Sequence, residues 1–209
     1  MVKLPDPPPV AELRQHSPHV LQLPAAQALW RIHDCTGPHV VAWNELRFYG
    51  PIASCRWDPH PPPTRTHADT GVSYLATAIP TALAERFQQT RLINTHRGCP
   101  YLTAFSMTRP LHLLDLTHGW PLQIGASHTI NSGPKHRTRA WARTLPAAWP
   151  DLDGLWSESS MTGQPCVTVF TRATDAFPST ALFSEPLDHP GLAAPLAAAA
   201  NAIGYRLIV

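Results

Sequence analysis

The sequence predicts an α+β domain. Three observations carry that reading. Short strand-like and helix-like stretches follow one another without the regular βαβ alternation of a doubly wound sheet. Neither of the two standard phosphate loops, GxGxxG or GxxxxGK[ST], occurs. The 24 prolines limit helix interiors and central strands, so the elements should be short and joined by much ordered loop.

The 209 residues fit one domain and suffice to bury a core. With 44% hydrophobic and 14% charged residues, the chain reads as globular rather than disordered. A net charge of +2 and the lack of a Lys/Arg-rich run argue against a nucleic-acid partner. Lys3 and Lys135 are the two lysines, so cationic work falls to arginine, whose fork suits phosphate. A GC-rich genome is the plainer source of the same bias. The N-terminal MVKLPDPPPVAEL has no apolar secretory core, and no apolar run is long enough to span a bilayer. A cytoplasmic protein with Cys35, Cys55, Cys99 and Cys166 as free thiols is therefore expected. The twelve histidines are scattered, without HExxH, and no metal site is expected.

In chain order, residues 1–24 are Pro-rich and read as an arm lying on the surface, with a helical turn near residues 11–15. Residues 25–209 read as a single globular domain. AAQALWRIH at 25–33 leads into an apolar strand, and PHPPP at 59–63 enforces a long loop after Arg56. GVSYLA at 71–76 alternates as a short buried strand. AIPTALAERFQQT at 78–90 reads as a helix: Pro80 sits in the first turn, and Ile79, Leu83 and Phe87 make an apolar stripe. Residues 101–116 hold two short strands split at Arg109 and Pro110. Residues 138–149 read as a helix broken near Pro146. GLWSESSMTGQ reads as a turn-rich connection before the strand CVTVFTR. An Ala-rich helix over 191–202 ends near Gly204, and YRLIV closes the chain as a strand.

Four stretches stand out as carriers of chemistry: WRI at 30–32, RWD at 56–58, Tyr74 through Glu85, and SESS at 157–160. Their order, SCRWDPH, GVSYLATAIPTALAERF and GLWSESSMTGQPCVTVF, resembles the RES-domain family, whose pattern sets a Glu eleven positions after a Tyr, as Glu85 follows Tyr74. LLDLTHGWP is also similar to the family. The resemblance covers about residues 26–209. The sequence departs from the pattern at several points: the loop from Arg56 to Tyr74 is long, Cys55 replaces a glycine, and Ser157 stands where an aromatic is common. Adjacent serines leave the register open between Ser159 and Ser160; Ser159 fits the spacing from Gly154 and Leu155.

The resemblance implies an ADP-ribosyltransferase-like fold, with small mixed or antiparallel sheets and flanking helices around a central NAD-binding cleft. It implies a toxin of Res–Xre type that degrades NAD⁺ as a substrate, needs no prosthetic group, and is silenced by an Xre-like antitoxin. A homodimer is a further implication. In that chemistry nicotinamide leaves readily and positive charge builds on the ribose. Glu85 is the carboxylate expected to stabilise that charge, with Arg56 and Tyr74 as the other catalytic candidates. Arg31 and Arg56 would hold the pyrophosphate bidentately. Tyr74 would stack on nicotinamide, and Ser159 or Ser160 would bond ribose or nicotinamide. The plainer roles are a surface helix glutamate for Glu85, an ion pair of Arg56 with Asp58, a core tyrosine and a turn serine. His118 and His128 are further polar groups expected near the cleft. Two other functions fit the same residues: ADP-ribosyl transfer to a protein, and non-catalytic nucleotide binding.

Overall fold

The computed structural model describes residues 4–209. Its strands are β1 (Val20–Leu23), β2 (Leu29–Asp34), β3 (Tyr49–Gly50), β4 (Arg65–Thr66), β5 (Val72–Ala76), β6 (Leu92–Asn94), β7 (Pro100–Phe105), β8 (Leu111–Asp115), β9 (Gly154–Glu158), β10 (Pro165–Phe170), β11 (Phe183–Pro186) and β12 (Arg206–Ile208). Its α-helices are α1 (Val10–Leu13), α2 (Ile79–Arg86), α3 (Trp120–Gln123), α4 (Lys135–Ala148) and α5 (Ala193–Ile203). The class is α+β, as expected. Eight strands form one sheet in the order β1-β8-β9-β10-β5-β2-β7-β11, and β12 with β6 and β3 with β4 form two small pairs. Within the large sheet only β8 and β9 run parallel, because the long connection carrying α3 and α4 returns the chain to the same end.

The sheet is two halves joined by a narrow seam. β5 pairs along its whole length with β10, and β2 along its whole length with β7. Between β2 and β5, however, the register contains the single pair Trp30 opposite Ala76. Helix α2 packs on β2, on β5 and on α5, so it spans that seam. Its expected stripe faces inward, with Leu83 fully buried and Ile79 and Phe87 beside it among Leu102, Leu196 and Tyr205. The helix stops at Arg86 rather than continuing to residue 90, and Arg91 then takes a positive φ of 52°.

Two other apolar clusters fill the faces of the β8–β9–β10–β5 half. One sets Trp141, Leu145 and Trp120 against Leu114, Leu155 and Phe170. The other sets Leu75, Val167 and Val169 against Leu29, Phe105 and Leu46. Helix α4 runs unbroken through Pro146. The proline lies in the last turn, where its missing N–H forfeits one hydrogen bond while Trp141, Ala142, Leu145 and Ala148 hold the helix by burial. The stretch read as a turn-rich connection begins with strand β9 over Gly154–Glu158, and only the serines and glycine after it make the turn. Serine favours turns in isolation, yet Ser157 sits buried opposite Cys166 of β10, where pairing and burial outweigh local preference. The strand break at Arg109 and Pro110 falls as expected. Arg109 there clamps Asp153 at 2.8 Å and Asp175 at 2.7 Å with its planar fork.

The Pro-rich segment expected to lie on the surface contributes to the interior; residues 1–3 of that arm lie outside the described residues. Leu4 and Leu13 are buried in the cluster around Trp141. The indole N–H of Trp141 donates to the Pro5 carbonyl at 3.0 Å, and that of Trp120 to the Ser17 carbonyl at 2.9 Å. Helix α1 covers the expected turn, and β1 extends the sheet beside β8. Truncating a leucine to alanine at a fully buried site leaves a cavity as well as losing transfer energy. The prediction is that Leu13→Ala lowers unfolding free energy by about 3 kcal/mol in urea denaturation; a loss under about 0.5 kcal/mol would mean that the segment merely lies on the surface.

Candidate functional site

A cleft of about 610 Å³ opens at the seam where β2 and β5 part. That volume is in the range of small-ligand sites. β2 supplies Arg31 to one wall, β5 supplies Tyr74, and α2 closes the cleft with Glu85. The loop after β3 brings Arg56, and the β9–β10 turn brings Ser159 and Ser160. All six residues singled out from the sequence thus line one concave surface. Pairing across β9, β10, β5 and β2 sets Ser157, Cys166, Ala76 and Trp30 in one row across the sheet, and all four line the cleft.

Glu85 is half-buried and tied down. Its Oε1 accepts from the Ser159 hydroxyl at 2.6 Å, and its Oε2 from Gln88 Nε2 at 3.2 Å. Gln88 in turn accepts from Lys135 Nζ at 3.1 Å. Ser159 is buried, and its oxygen also accepts from the backbone N–H groups of Met161 and Thr162, each at 3.1 Å. The serine is therefore both the turn-former of the plainer reading and a partner of the carboxylate. Ser160 is exposed. A contact between Thr81 and Thr162 hydroxyls at 3.2 Å fastens the same turn to α2. The Cys166 thiol lies near Glu85; burial, and then that carboxylate, push it up to about 12, so it stays protonated near neutral pH.

The arginines are partly engaged by the protein. Arg31 Nη1 donates to the carbonyls of Trp43 and Glu45, each at 2.8 Å, which pins the loop before β3. Burial pulls Arg31 down to about 10, which leaves it charged at neutral pH. Arg56 donates to the Gly133 carbonyl at the start of α4. Burial lowers Arg56, and the nearby charge of Glu85 opposes that shift; both residues line the cleft. The ion pair of Arg56 with Asp58 is not made. Asp58 instead binds Arg47, a cleft residue that carried no signal in the sequence.

Asp58 is fully buried and accepts four hydrogen bonds. Arg47 Nη2 and the Ile52 N–H each reach Oδ2 at 2.8 Å, the His60 N–H reaches Oδ1 at 3.1 Å, and the His60 ring bonds Oδ1 as well. Gly50 allows this packing, because a Cβ there would fall on the His60 ring. Arg47 so held stands 3.5 Å from the Tyr74 hydroxyl, with the Cys55 thiol close by. Burial raises Tyr74 well above its ordinary value, with Cys55 adding to the shift, so the phenol remains protonated. Arg47, Asp58 and His60 lie in a proline-rich loop region without periodicity, where spacing carries no contact information. His118 and His128 do not line the cleft. His118 pairs with Asp115 at 2.8 Å, and His128 with Glu158 at 3.0 Å. Among the described residues no group of three or more His, Cys, Asp or Glu could hold a metal ion, and no helix is long and apolar enough to cross a membrane.

An α+β sheet that splits over a cleft carries a helix-borne glutamate and arginines on that cleft's walls. The RES domain model matches residues 28–189, and the chain belongs to the RES domain family. Among solved structures, a chain of the M. tuberculosis MbcT–MbcA toxin–antitoxin complex shares the fold, with a TM-score of 0.55 at 17% identity, over 90% of this chain and 96% of that one. No curated protein matches.

The Asp58 hub has a pH signature. Burial alone would raise its carboxyl, but the bonds from His60, the Ile52 N–H and Arg47 outweigh it and bring it from 3.8 down to about 2. Because the folded value is the lower one, the stabilisation is complete above about pH 4 and fades as pH falls toward 2. The wild-type protein should lose about 2 kcal/mol of unfolding free energy over that window through this group, a loss absent in Asp58→Asn. Parallel pH slopes for the two proteins in chemical denaturation would contradict the assignment.

Proposed function

We propose that the chain is a RES-type toxin that degrades NAD⁺ by cleaving the bond between nicotinamide and ribose. The observation that carries this reading is the Ser159–Glu85 hydrogen bond of 2.6 Å on the cleft wall, with Arg56 lining the same cleft. Breaking the nicotinamide–ribose bond leaves an oxocarbenium-like ribose, whose positive charge needs a fixed negative neighbour. Glu85 supplies it. Ser159 orients the carboxylate, because its own oxygen is held by two backbone N–H groups and its proton is directed at Oε1. Nicotinamide departs with the bonding electron pair and needs no proton. Water or phosphate then adds to C1′ and loses a proton, yielding ADP-ribose or ADP-ribose 1″-phosphate.

The remaining residues bind and shape. Arg56 and the free face of Arg31 offer positive charge to the pyrophosphate dianion. Tyr74, protonated and close to Arg47 and Cys55, offers a neutral aromatic wall for a stacked ring. NAD⁺ is a substrate in this scheme, and no prosthetic group takes part. The structural neighbour was crystallised as a toxin–antitoxin complex; an antitoxin of the Xre-like kind is the partner proposed for this chain too.

Two measurements test the proposal. Purified protein incubated with NAD⁺, with and without phosphate, should release nicotinamide with matching amounts of ADP-ribose or its phosphate. Label appearing on a macromolecule instead would assign the chain to protein modification. Glu85→Gln should reduce turnover at least a hundredfold, on the order of a lost electrostatic partner in the transition state, with an unchanged circular dichroism spectrum. Ser159→Ala should reduce it about tenfold and Ser160→Ala by less, since an orienting hydrogen bond is worth roughly 1–2 kcal/mol; equal effects of the two would remove Ser159 from its orienting role.

A further inference from the structure

Two buried polar atoms at the seam have no partner among the described residues: Ser73 Oγ on β5 and His33 Nδ1 on β2. Ser73 is 1% exposed, and both residues line the cleft. Their positions are related. The last paired residues across the seam are Trp30 and Ala76, and His33 and Ser73 each lie three residues further along their strands. Were the antiparallel pairing to continue, the two would be direct partners. Strand alternation sends both side chains to the face that carries Leu29 and Leu75, which share one apolar cluster. The strands part before reaching them, so the two do not pair; the His33 ring packs against Tyr101 on β7, and both residues line the cleft.

A buried hydroxyl without a partner costs roughly 1–3 kcal/mol. Two such atoms on residues that line one candidate ligand cleft point to a group that enters the cleft and bonds both. The chemistry of the pair limits that group. A serine hydroxyl donates and accepts, and a neutral imidazole nitrogen does one or the other according to its tautomer. Burial, and then the charge of Arg31, pull His33 down to about 4, so the ring is neutral near pH 7. A neutral pair in a dry site does little to offset the desolvation of an anion. It suits a neutral edge that offers a donor and an acceptor side by side.

We infer that Ser73 and His33 form a subsite in the β2–β5 gap for an amide-like edge of the ligand, the carboxamide of nicotinamide or the amidine edge of adenine. The identity of the dinucleotide rests on the function proposed above; the subsite itself does not. It lies beside Arg31 on β2, and it sets specificity rather than bond cleavage.

The test uses the full chain, titrated calorimetrically with nicotinamide and, separately, with adenosine. One of the two should bind, and Ser73→Ala should weaken that binding tenfold or more while thermal stability stays level or rises, because the variant removes a buried unpaired group. His33→Leu should show the same loss. His33→Asn, which keeps a polar atom near the Nδ1 position, should recover part of it. The subsite is refuted if neither probe binds the wild-type chain, or if Ser73→Ala and His33→Leu bind the probe as tightly as wild type. NAD⁺ turnover measured in parallel separates the two claims. Turnover that is indifferent to both variants removes the subsite and leaves the activity, whereas a variant-sensitive probe without turnover removes the activity and leaves the subsite.

Discussion

One backbone pairing, Trp30 opposite Ala76, is all that joins the two halves of the eight-stranded sheet. A sheet satisfies its backbone groups by pairing, and a strand left unpaired must find other partners or face solvent. By parting after one pair, β2 and β5 open a space whose walls are regular strands and are therefore rigid. Helix α2 then bridges the opening, fixed on one side by α5 and on the other by the β9–β10 turn through Thr81 and Thr162. The glutamate, both arginines and the tyrosine take their positions from that arrangement.

Charge in the cleft is managed by sharing. Arg86 is neutralised by Asp34 at 2.6 Å, and Arg47 by Asp58 at 2.8 Å. Arg31 and Arg56 contact backbone carbonyls, which orient a guanidinium without cancelling its charge. The cleft therefore keeps Arg31 and Arg56, and Lys135 on Gln88, as cations near the oriented carboxylate of Glu85. Preorganisation of this kind costs nothing further when a charged ligand arrives. It also explains why Asp58 is buried so completely: its four hydrogen bonds hold the loop that carries Arg56 and set Arg47 against Tyr74.

The readable parts of the sequence were those where local spacing and tertiary role coincide. Tyr74 and Glu85 sit on a short strand and the next helix, so their separation fixes their relative placement once both elements form. Gly204 ends α5 in the left-handed conformation because the residue type permits it, and that too is a local matter. Ser157 misled because its turn preference is local while its burial in the sheet is not. Pro146 misled because its cost depends on how near the helix end it falls. Arg47, Asp58 and His60 were silent, since a salt-bridged hub in irregular chain leaves no period to read. The buried N-terminal segment was hidden for the same reason: prolines signal extended backbone and say nothing about what Leu4 and Leu13 touch.

The N-terminal segment bears on the order in which the molecule comes together during synthesis. Leu4 and Leu13 find their apolar partners on α4, and Arg137 bonds the Leu4 carbonyl across 133 residues of chain. Strand β1 waits for β8, and β5 waits for β10. Contacts so distant in sequence form late, because loop closure must precede them. The carboxylate of Glu85 acquires its serine only when the β9–β10 turn is in place. A partly translated chain therefore has no assembled cleft, and the site is completed only when most of the domain has emerged from the ribosome.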